Sequence, residues 1–433
     1  MFLSHATLKR KMARVLFTTF GSYGDLHPYL AIGVQLQRMG HSVTIATSAS
    51  YCQKVTDEGL GFLSVRPEMT LADGELMRQF FDRYRGTERV IRVMVSVVRE
   101  SYQDTLAIAP GFDLIVTHPM AIGAVLVAQK LNMPWISSVL APASFLSAWD
   151  PPVPAPFPWL VGIRKLGPGA MRAVWKSMAG ILNRWMQPVH DLRREIGLPP
   201  GGNPLLEGSH SPHLMLALFS RVFAEPQPDW PASTAVTGFP FHDEGGKILA
   251  PELEEFLQEG PPPIVFTLGS SAVMAAGEFY SISLKAVKLL GQRALFLTGP
   301  ERHGLPQHLP EGVMAWPYAP HEPVFFRASA IVHQGGVGTT AQALRSGRPM
   351  LVMPFAHDQY DNAARVQRLG AGLTVTRNSY RESVVADALR RMASFRQSAE
   401  QLGNAIRAES GAQRAAQEIS KFCGAGCQPT ADC

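Results

Sequence analysis

Residues 330–359 read AIVHQGGVGTTAQALRSGRPMLVMPFAHDQ, a pattern that predicts a strand, a loop, a helix and a second strand in succession. The apolar run at 330–333 predicts the first strand, and three glycines in the next five residues predict a tight loop. A helix is expected at 339–346 and a second apolar strand at 350–353. A strand, a crossover helix and a parallel strand form the βαβ unit of α/β proteins.

The same alternation extends through the rest of the chain, which predicts two doubly wound, Rossmann-like parallel sheets. In the first half we predict strands at 14–19, 42–47, 62–65, 113–117 and 135–139, and helices at 28–39, 89–109, 120–131 and 169–197. In the second half we predict strands at 264–268, 293–298, 313–317, 330–333, 350–353 and 372–376, and helices at 276–290, 339–346, 358–369, 381–392 and 396–421.

The two sheets predict two domains, at 13–240 and 263–422. Residues 241–262, which are rich in Pro and Gly, are expected to be the linker between them. Residues 1–12 and 423–433 are expected to be disordered tails.

The composition excludes several classes of protein. The 433 residues are 46% hydrophobic and 17% charged, with a formal net charge of +5, and no long run of Lys or Arg occurs. These values favour a globular protein and disfavour a nucleic-acid partner. No apolar stretch reaches the roughly 18 residues of a membrane span, and residues 1–12 lack the apolar core of a secretory signal. The four cysteines match no common zinc pattern, so we expect a cytoplasmic protein without a metal.

The glycine loop at 334–338 is the strongest candidate for a ligand site. A loop that opens a helix presents several backbone N–H groups and the positive end of the helix dipole, and both favour a diphosphate. The loop is not a Walker A motif, because Gly338 is followed by two threonines rather than by Lys and Ser or Thr. On spacing alone, a tight structural turn remains the alternative.

The whole segment 333–359 resembles the donor-binding signature of family-1 nucleotide-sugar glycosyltransferases of the GT-B fold. The shared features are a histidine, the glycine run, Gly-Arg-Pro at 347–349, Pro354, Asp-Gln at 358–359, and the later residues Asn362, Arg365, Leu369 and Gly370. The resemblance implies two Rossmann-like domains facing a cleft. It also implies a UDP- or dTDP-linked sugar as co-substrate, with no further cofactor.

The resemblance implies a role for each residue that matches the family pattern. The diphosphate would be held by His333, Gly336, Val337, Gly338, Thr339 and Ser270. The Asp358-Gln359 pair would bind sugar hydroxyls. Tyr318 would stack on the nucleobase and Ala319 would bond its edge, while Gln342 stands where the plant members have the Glu that binds ribose. That departure leaves the choice between uridine and thymidine open.

The loop after the first strand, GSYGDLHP at 21–28, resembles the segment that presents the general base in the same family. The branch that acts on lipids, sterols and antibiotics has Gly-Asp there, which makes Asp25 the candidate base and His27 the second choice. Capping of a helix that begins at Pro28 is the structural alternative for Asp25. His118, at the end of a strand, is expected to contact Asp25 or the acceptor, or else to be a satisfied core histidine.

Residues 140–162 are rich in proline and aromatic residues, so they form either a packed connector or an apolar wall for a ligand. We assign Phe145 and Trp149 to the wall, and His27 to the acceptor side. Similarity to a bacterial branch with rhamnolipid, sterol and macrolide members implies an apolar, lipid-like acceptor and keeps dTDP-rhamnose among the donors.

The expected activity is inverting hexosyl transfer to a hydroxyl group by a monomer or weak dimer. Transient contact with the inner face of a membrane is compatible with the mild positive charge. The alternatives are a nucleotide-sugar epimerase of the same fold and a nucleotide-sugar-binding module without turnover.

Overall fold

The computed structural model describes residues 12–68, 74–243 and 249–424. Its first sheet has seven parallel strands in the order β3-β2-β1-β4-β5-β6-β7. The strands are β1 Arg14–Thr18, β2 Ser42–Thr47, β3 Gly61–Ser64, β4 Leu114–Thr117, β5 Trp135–Val139, β6 Met215–Ala217 and β7 Thr234–Val236. The central strands β4 and β5 are buried along their length because helices cover both faces of the sheet.

The described residues of the first half form eight helices, of which α3 packs against the core of the second half. They are α1 Tyr23–Arg38, α2 Cys52–Asp57, α3 Gly74–Phe80, α4 Gly86–Ser96, α5 Val98–Ile108, α6 Ile122–Lys130, α7 Pro168–Trp185 and α8 Gln187–Glu195. No helix of the described residues is long and apolar enough to cross a bilayer.

The second sheet has six parallel strands in the order β10-β9-β8-β11-β12-β13. Its strands are β8 Ile264–Thr267, β9 Ala294–Leu297, β10 Val313–Trp316, β11 Ala330–His333, β12 Met350–Val352 and β13 Gly372–Thr374. The helices of this half are α9 Pro251–Gln258, α10 Phe279–Leu290, α11 His321–Phe325, α12 Val337–Ser346, α13 Gln359–Arg368, α14 Glu382–Arg390, α15 Arg396–Arg407 and α16 Gly411–Gly424.

Both sheets reverse their strand order at one point, between β1 and β4 and between β8 and β11. Parallel sheets bind ligands outside the carboxyl ends of the strands at such a switch point. The loops that follow these four strands are therefore the places to look for a site. The two predicted Rossmann-like sheets are confirmed.

Several element boundaries differ from the prediction. The first helix begins at Tyr23 instead of residue 28, so Pro28 lies within it. The helices predicted at 89–109, 169–197 and 396–421 are each divided in two, near Val97, Met186 and Ser410 respectively. The short strands β6 and β7 were not predicted.

The domain boundaries are less simple than the sequence suggests. Helix α16 packs against α1 of the first half, and its Ala415, Ile419 and Cys423 lie in the same apolar core as β1. The C-terminal segment thus returns to the first domain, and Cys423 is helical rather than part of a tail. Residues 1–11 and 425–433 lie outside the described residues. Helix α9 lies within the predicted linker, but Leu253 and Leu257 pack in the core of the second sheet.

Candidate functional site

A cleft of about 1920 Å³ separates the carboxyl ends of the two sheets. Its lining includes the loops that follow β1, β4, β8 and β11. Most of the predicted site residues line this cleft: Asp25, His27, His118, Ser270, Tyr318, Ala319, Gly336, Val337, Gly338, Thr339, Gln342, Asp358 and Gln359. His333, Phe145 and Trp149 do not.

Asp25 lies in the first turn of α1, where it completes a capping box with Ser22. Its Oδ2 accepts hydrogen bonds from the Ser22 backbone N–H at 2.7 Å and from the Ser22 hydroxyl at 3.2 Å. These bonds fix the carboxylate at the rim of the cleft, with 32% of the side chain exposed. The predicted capping role is present in a different form, since Ser22 is the N-cap and Asp25 is the third helical residue.

His118 contacts Asp25, as the sequence analysis hypothesised. Its Nε2 lies 3.3 Å from Asp25 Oδ1, and its Nδ1 accepts the backbone N–H of Met120 at 3.1 Å. Because Nδ1 is an acceptor, the proton of a neutral ring is on Nε2, which donates to the carboxylate. The His118 side chain is 7% exposed, so the pair is held rigidly from the buried side and open on the cleft side.

Gly21 permits this arrangement. It has a φ of +123°, and a Cβ at this position would lie 2.3 Å from Asp25 Oδ2. The hydroxyl of Tyr51 donates to the Gly21 carbonyl at 2.8 Å and fixes the turn. No residue with a side chain fits here without displacing the carboxylate.

His27 lies two residues beyond Asp25 on the same helix. Its ring stacks on Tyr23, with centroids 5.3 Å apart, and lies 5.0 Å from the ring of His242. It therefore belongs to an aromatic group at the edge of the cleft.

On the opposite side, the N-terminus of α12 faces the Asp25 loop. Gly336 caps the helix without any side-chain hydrogen bond, which leaves the first backbone N–H groups without partners inside the helix. A Cβ on Gly338 would lie 3.7 Å from Gly24 Cα, so the two loops almost touch. Gly335, at φ +89°, packs against Val352 and allows the loop to lie close to β12.

His333 is not on the wall of the cleft. It is the last residue of β11 and is fully buried beneath the loop, where its Nδ1 accepts the Gly335 N–H at 3.0 Å. Burial, followed by the nearby His321, lowers the pKa of His333 to about 3, so the ring is neutral and carries its proton on Nε2. This Nε2 is buried and has no hydrogen-bond partner in the described part of the chain. In this structure the ring supports the loop from below.

Two glutamine side chains present buried acceptors to the cleft. The Oε1 atoms of Gln334 and Gln342 are both buried without a hydrogen-bond partner among the described residues. An unpartnered buried carbonyl is unfavourable, and a hydroxyl of a ligand would satisfy it. Gln334 was not among the predicted site residues.

Asp358 and Gln359 begin α13 at the floor of the cleft. Burial raises the pKa of Asp358 to about 7. The hydrogen bond from Asn362 Nδ2 at 2.8 Å lowers this pKa in part, and the charge of Asp25 raises it further. The Oε1 of Gln359 accepts from the backbone of Phe355 and Ala356, which leaves its amide N–H groups to donate to a ligand.

His357 is a site residue that the sequence analysis missed. It lines the cleft in a left-handed conformation, with φ +56°, and its Nδ1 lies 3.2 Å from the Thr87 hydroxyl of the first domain. Burial lowers its pKa to about 4, so the ring is neutral. A non-glycine residue with positive φ is strained and often lies at a functional site, but a sequence does not reveal it.

Tyr318 is 52% exposed on the lining of the cleft, beside the buried Ala319. An exposed aromatic ring at the wall of a cleft can stack on a flat ligand.

The apolar wall of the cleft does not include Phe145 or Trp149, the two residues predicted for it. Phe145 stacks on Trp230, with centroids 4.1 Å apart, and is drawn into the core instead of the cleft. Trp149 is turned outward and half exposed, because Asp229 holds the preceding residues Ser147 and Ala148. The apolar wall comes from α3, α4, α7 and the proline-rich loop, through Met77, Phe80, Phe81, Ile91, Met94, Pro154, Phe157, Trp175, Met178, Ile181, Leu182 and Trp185.

A buried ion-pair network joins the two domains behind the site. Arg365 of α13 is 1% exposed and bonds Asp361 at 2.7 Å and Asp150 of the proline-rich loop at 2.6 Å. Asp361 also accepts the Val153 backbone N–H at 3.2 Å. The network therefore connects the proline-rich loop to α13, which follows Asp358.

Comparison with known proteins agrees with this arrangement. Residues 15–142 match the family model of the glycosyltransferase family 28 N-terminal domain, and residues 295–425 match that of the erythromycin biosynthesis protein CIII-like C-terminal domain. Among solved structures, the kitacinnamycin glycotransferase covers 95% of this chain and 99% of its own, with a TM-score of 0.72 and 18% identity. The glycosyltransferase VinC, solved with dTDP, has a TM-score of 0.68 and 21% identity over 95% of this chain.

Sequence relatives identify the family, which similarity in fold alone does not do. O-mycaminosyltylonolide 6-deoxyallosyltransferase of Streptomyces fradiae is 30% identical over 94% of this chain and 97% of its own length. A sterol 3-beta-glucosyltransferase of Yarrowia lipolytica is 28% identical over 83% of this chain, which spans 25% of that longer protein. The chain therefore belongs to the glycosyltransferase family of GT-B fold that includes macrolide and sterol glycosyltransferases.

Proposed function

We propose that the protein is an inverting O-glycosyltransferase that moves a hexose from a UDP- or dTDP-linked donor to a hydroxyl of an apolar small molecule. The observation that carries the proposal is the close approach of the Asp25–His118 pair to the N-terminus of α12. Displacement at an anomeric carbon requires a base on one side of the reacting carbon and a group that stabilises the leaving anion on the other. Asp25 and the N-terminus of α12 offer these two functions.

Asp25 accepts the proton of the acceptor hydroxyl in this mechanism. Its Oδ1 takes one hydrogen bond, from His118, so a second lone pair remains for the substrate. The hydroxyl oxygen forms a bond to the anomeric carbon as the bond from that carbon to the diphosphate breaks on the far side. Such a displacement inverts the configuration.

The leaving diphosphate would lie against the first turn of α12. Its negative charge grows toward the transition state, so the fixed N–H groups of Val337, Gly338 and Thr339 lower the barrier as well as binding the donor. Ser270 also lines the cleft and follows Gly269, where a Cβ would lie 3.3 Å from Thr339 Oγ1, so it can add a hydroxyl donor. His333 would act indirectly, by supporting the loop through Gly335.

The other donor contacts are assigned to polar and aromatic groups that line the cleft. The Gln342 carbonyl suits a ribose hydroxyl, and the exposed ring of Tyr318 suits a nucleobase. Gln359 and Asp358 suit sugar hydroxyls, since one donates N–H groups and the other takes part as either acid or carboxylate near pH 7. The dTDP bound to VinC favours a thymidine donor, and the names of the macrolide and sterol relatives favour an apolar acceptor.

The direct test is incubation of the full chain with UDP-glucose or dTDP-rhamnose and a panel of hydroxylated macrolides, sterols and lipids. Mass spectrometry should detect a glycosylated acceptor, and NMR of the product should show an anomeric configuration opposite to that of the donor. Isomerisation of the donor without an acceptor would instead identify an epimerase. Donor binding without any product would identify a binding module.

A further inference from the structure

The segment between Asp150 and Asp191 lines part of the cleft and also carries apolar and basic side chains that stand in solvent. It contains a 3₁₀ helix, Pro158–Leu166, which packs on α7. No residue of this 3₁₀ helix is buried, and Met171 is the single buried residue of α7. Helices of a folded domain normally bury an apolar face, so this part of the molecule is incompletely covered.

Four large apolar side chains of this segment stand in solvent. The exposed fraction is 49% for Phe157, 69% for Trp159, 78% for Leu166 and 54% for Ile181. The rings of Phe157 and Trp159 meet edge to face at 6.4 Å. Phe157 and Ile181 also line the cleft, so the exposed surface is continuous with the apolar wall of the cavity.

The charge of the same segment has one sign. Between Asp150 and Asp191 the chain has five Lys or Arg residues and no Asp or Glu. All five are exposed: Arg164, Lys165, Arg172, Lys176 and Arg184. On α7, Arg172 and Lys176 are four residues apart and therefore lie on the same side of the helix. We call the exposed residues of 157–184 the basic apolar face.

We propose that the basic apolar face docks on an anionic lipid bilayer. Exposed Trp and Leu beside Lys and Arg are typical of segments that lie in the headgroup region, where the rings enter the interface and the cations meet lipid phosphates. A second copy of the chain is a poor occupant, because two such faces would repel each other. Docking would place the opening of the cleft at the membrane surface. The importance of that position for transfer rests on the proposed function.

The test is sedimentation of the full chain with phosphatidylcholine vesicles that contain no phosphatidylglycerol or about a third of it. The protein should bind the anionic vesicles and not the neutral ones. Each Lys or Arg at an anionic surface is worth about a fivefold change in binding, so R164Q with K165Q should weaken it about 25-fold. Trp159→Ser combined with Leu166→Ser should also weaken binding to anionic vesicles, because it removes apolar side chains that would insert into the interface.

Helix α10 of the second domain offers a matched control, since Lys285, Lys288 and Leu289 are also exposed. K285Q with K288Q, and Leu289→Ser, should leave vesicle binding within twofold of wild type. Equal binding to neutral vesicles, no binding to anionic ones, or equal losses in the α10 variants would overturn the proposal. So would a dimer in solution that Trp159→Ser dissociates.

Transfer to a water-soluble acceptor without vesicles is measured separately. R164Q with K165Q should leave that rate unchanged. Absence of transfer in the wild type would refute the proposed function and leave the vesicle result standing, so the two failures are distinguishable.

Discussion

The interdomain ion-pair network offers the sharpest test of how the site is held together. Replacing Arg365 by Met keeps most of the side-chain volume but leaves Asp361 and Asp150 without their shared cation. Removing one partner of a buried, hydrogen-bonded charge pair costs about 3–5 kcal/mol. At about 2–4 °C per kcal/mol for domains of this size, Tm should fall by roughly 10 °C.

Arg368 provides the control for this substitution. It contacts the same Asp150 at 3.2 Å, but its side chain is 46% exposed. Exposed ion pairs contribute about 0–1 kcal/mol, so Arg368→Met should lower Tm by no more than about 4 °C. Calorimetry should also resolve the Arg365→Met endotherm into two transitions, because the substitution weakens a link between domains. Equal Tm losses in the two variants would refute the reasoning.

Three further predictions concern residues of the cleft. Gly21→Ala places a Cβ against the Asp25 carboxylate and strains a positive φ. It should reduce kcat at least tenfold in a transfer assay and lower the free energy of unfolding by about 1–3 kcal/mol in denaturant. An unaltered rate would show that glycine is not needed at this position. His118→Ala should reduce kcat tenfold or more with little change in donor KM, whereas a near-normal rate would exclude a catalytic role. Burial raises the pKa of Asp358 from 3.8 in the unfolded chain to about 7, so between these pH values the folded state binds a proton that the unfolded state does not. The free energy of unfolding should therefore fall as the pH rises through this range, by at most about 4 kcal/mol. Asp358→Asn should flatten this part of the pH dependence, and an unchanged slope would contradict the assignment.

Prediction from sequence succeeded where the signal is local. The βαβ pattern around 330–352 and the loop at 21–28 each depend on a few consecutive residues, and both site loops lie where strand order predicts. The divisions of the long helices and the three-residue strands β6 and β7 were missed because packing, and not local pattern, decides them. The return of α16 to the first domain is a long-range contact that carries no local signature.

The candidate site shows the same division between local and long-range information. Asp25 and Gln359 line the cleft, as the family resemblance implied, because each belongs to a short motif at the start of a helix. Phe145 and Trp149 were misplaced, since the positions of these rings depend on Trp230 and Asp229, about 80 residues away in the chain. His333 is at the expected place in sequence, but burial turns its ring under the loop, which sequence does not specify.

The central claim is that Asp25 takes the proton of the acceptor while the first turn of α12 holds the diphosphate. The most direct measurement is the transfer rate of Asp25→Asn, which keeps the shape of the capping residue but removes the base. Loss of a positioned base typically costs 10²- to 10⁴-fold, so kcat should fall by that amount while the dissociation constant of the donor, from calorimetry, stays within about twofold. A variant that transfers sugar at the wild-type rate would contradict the account.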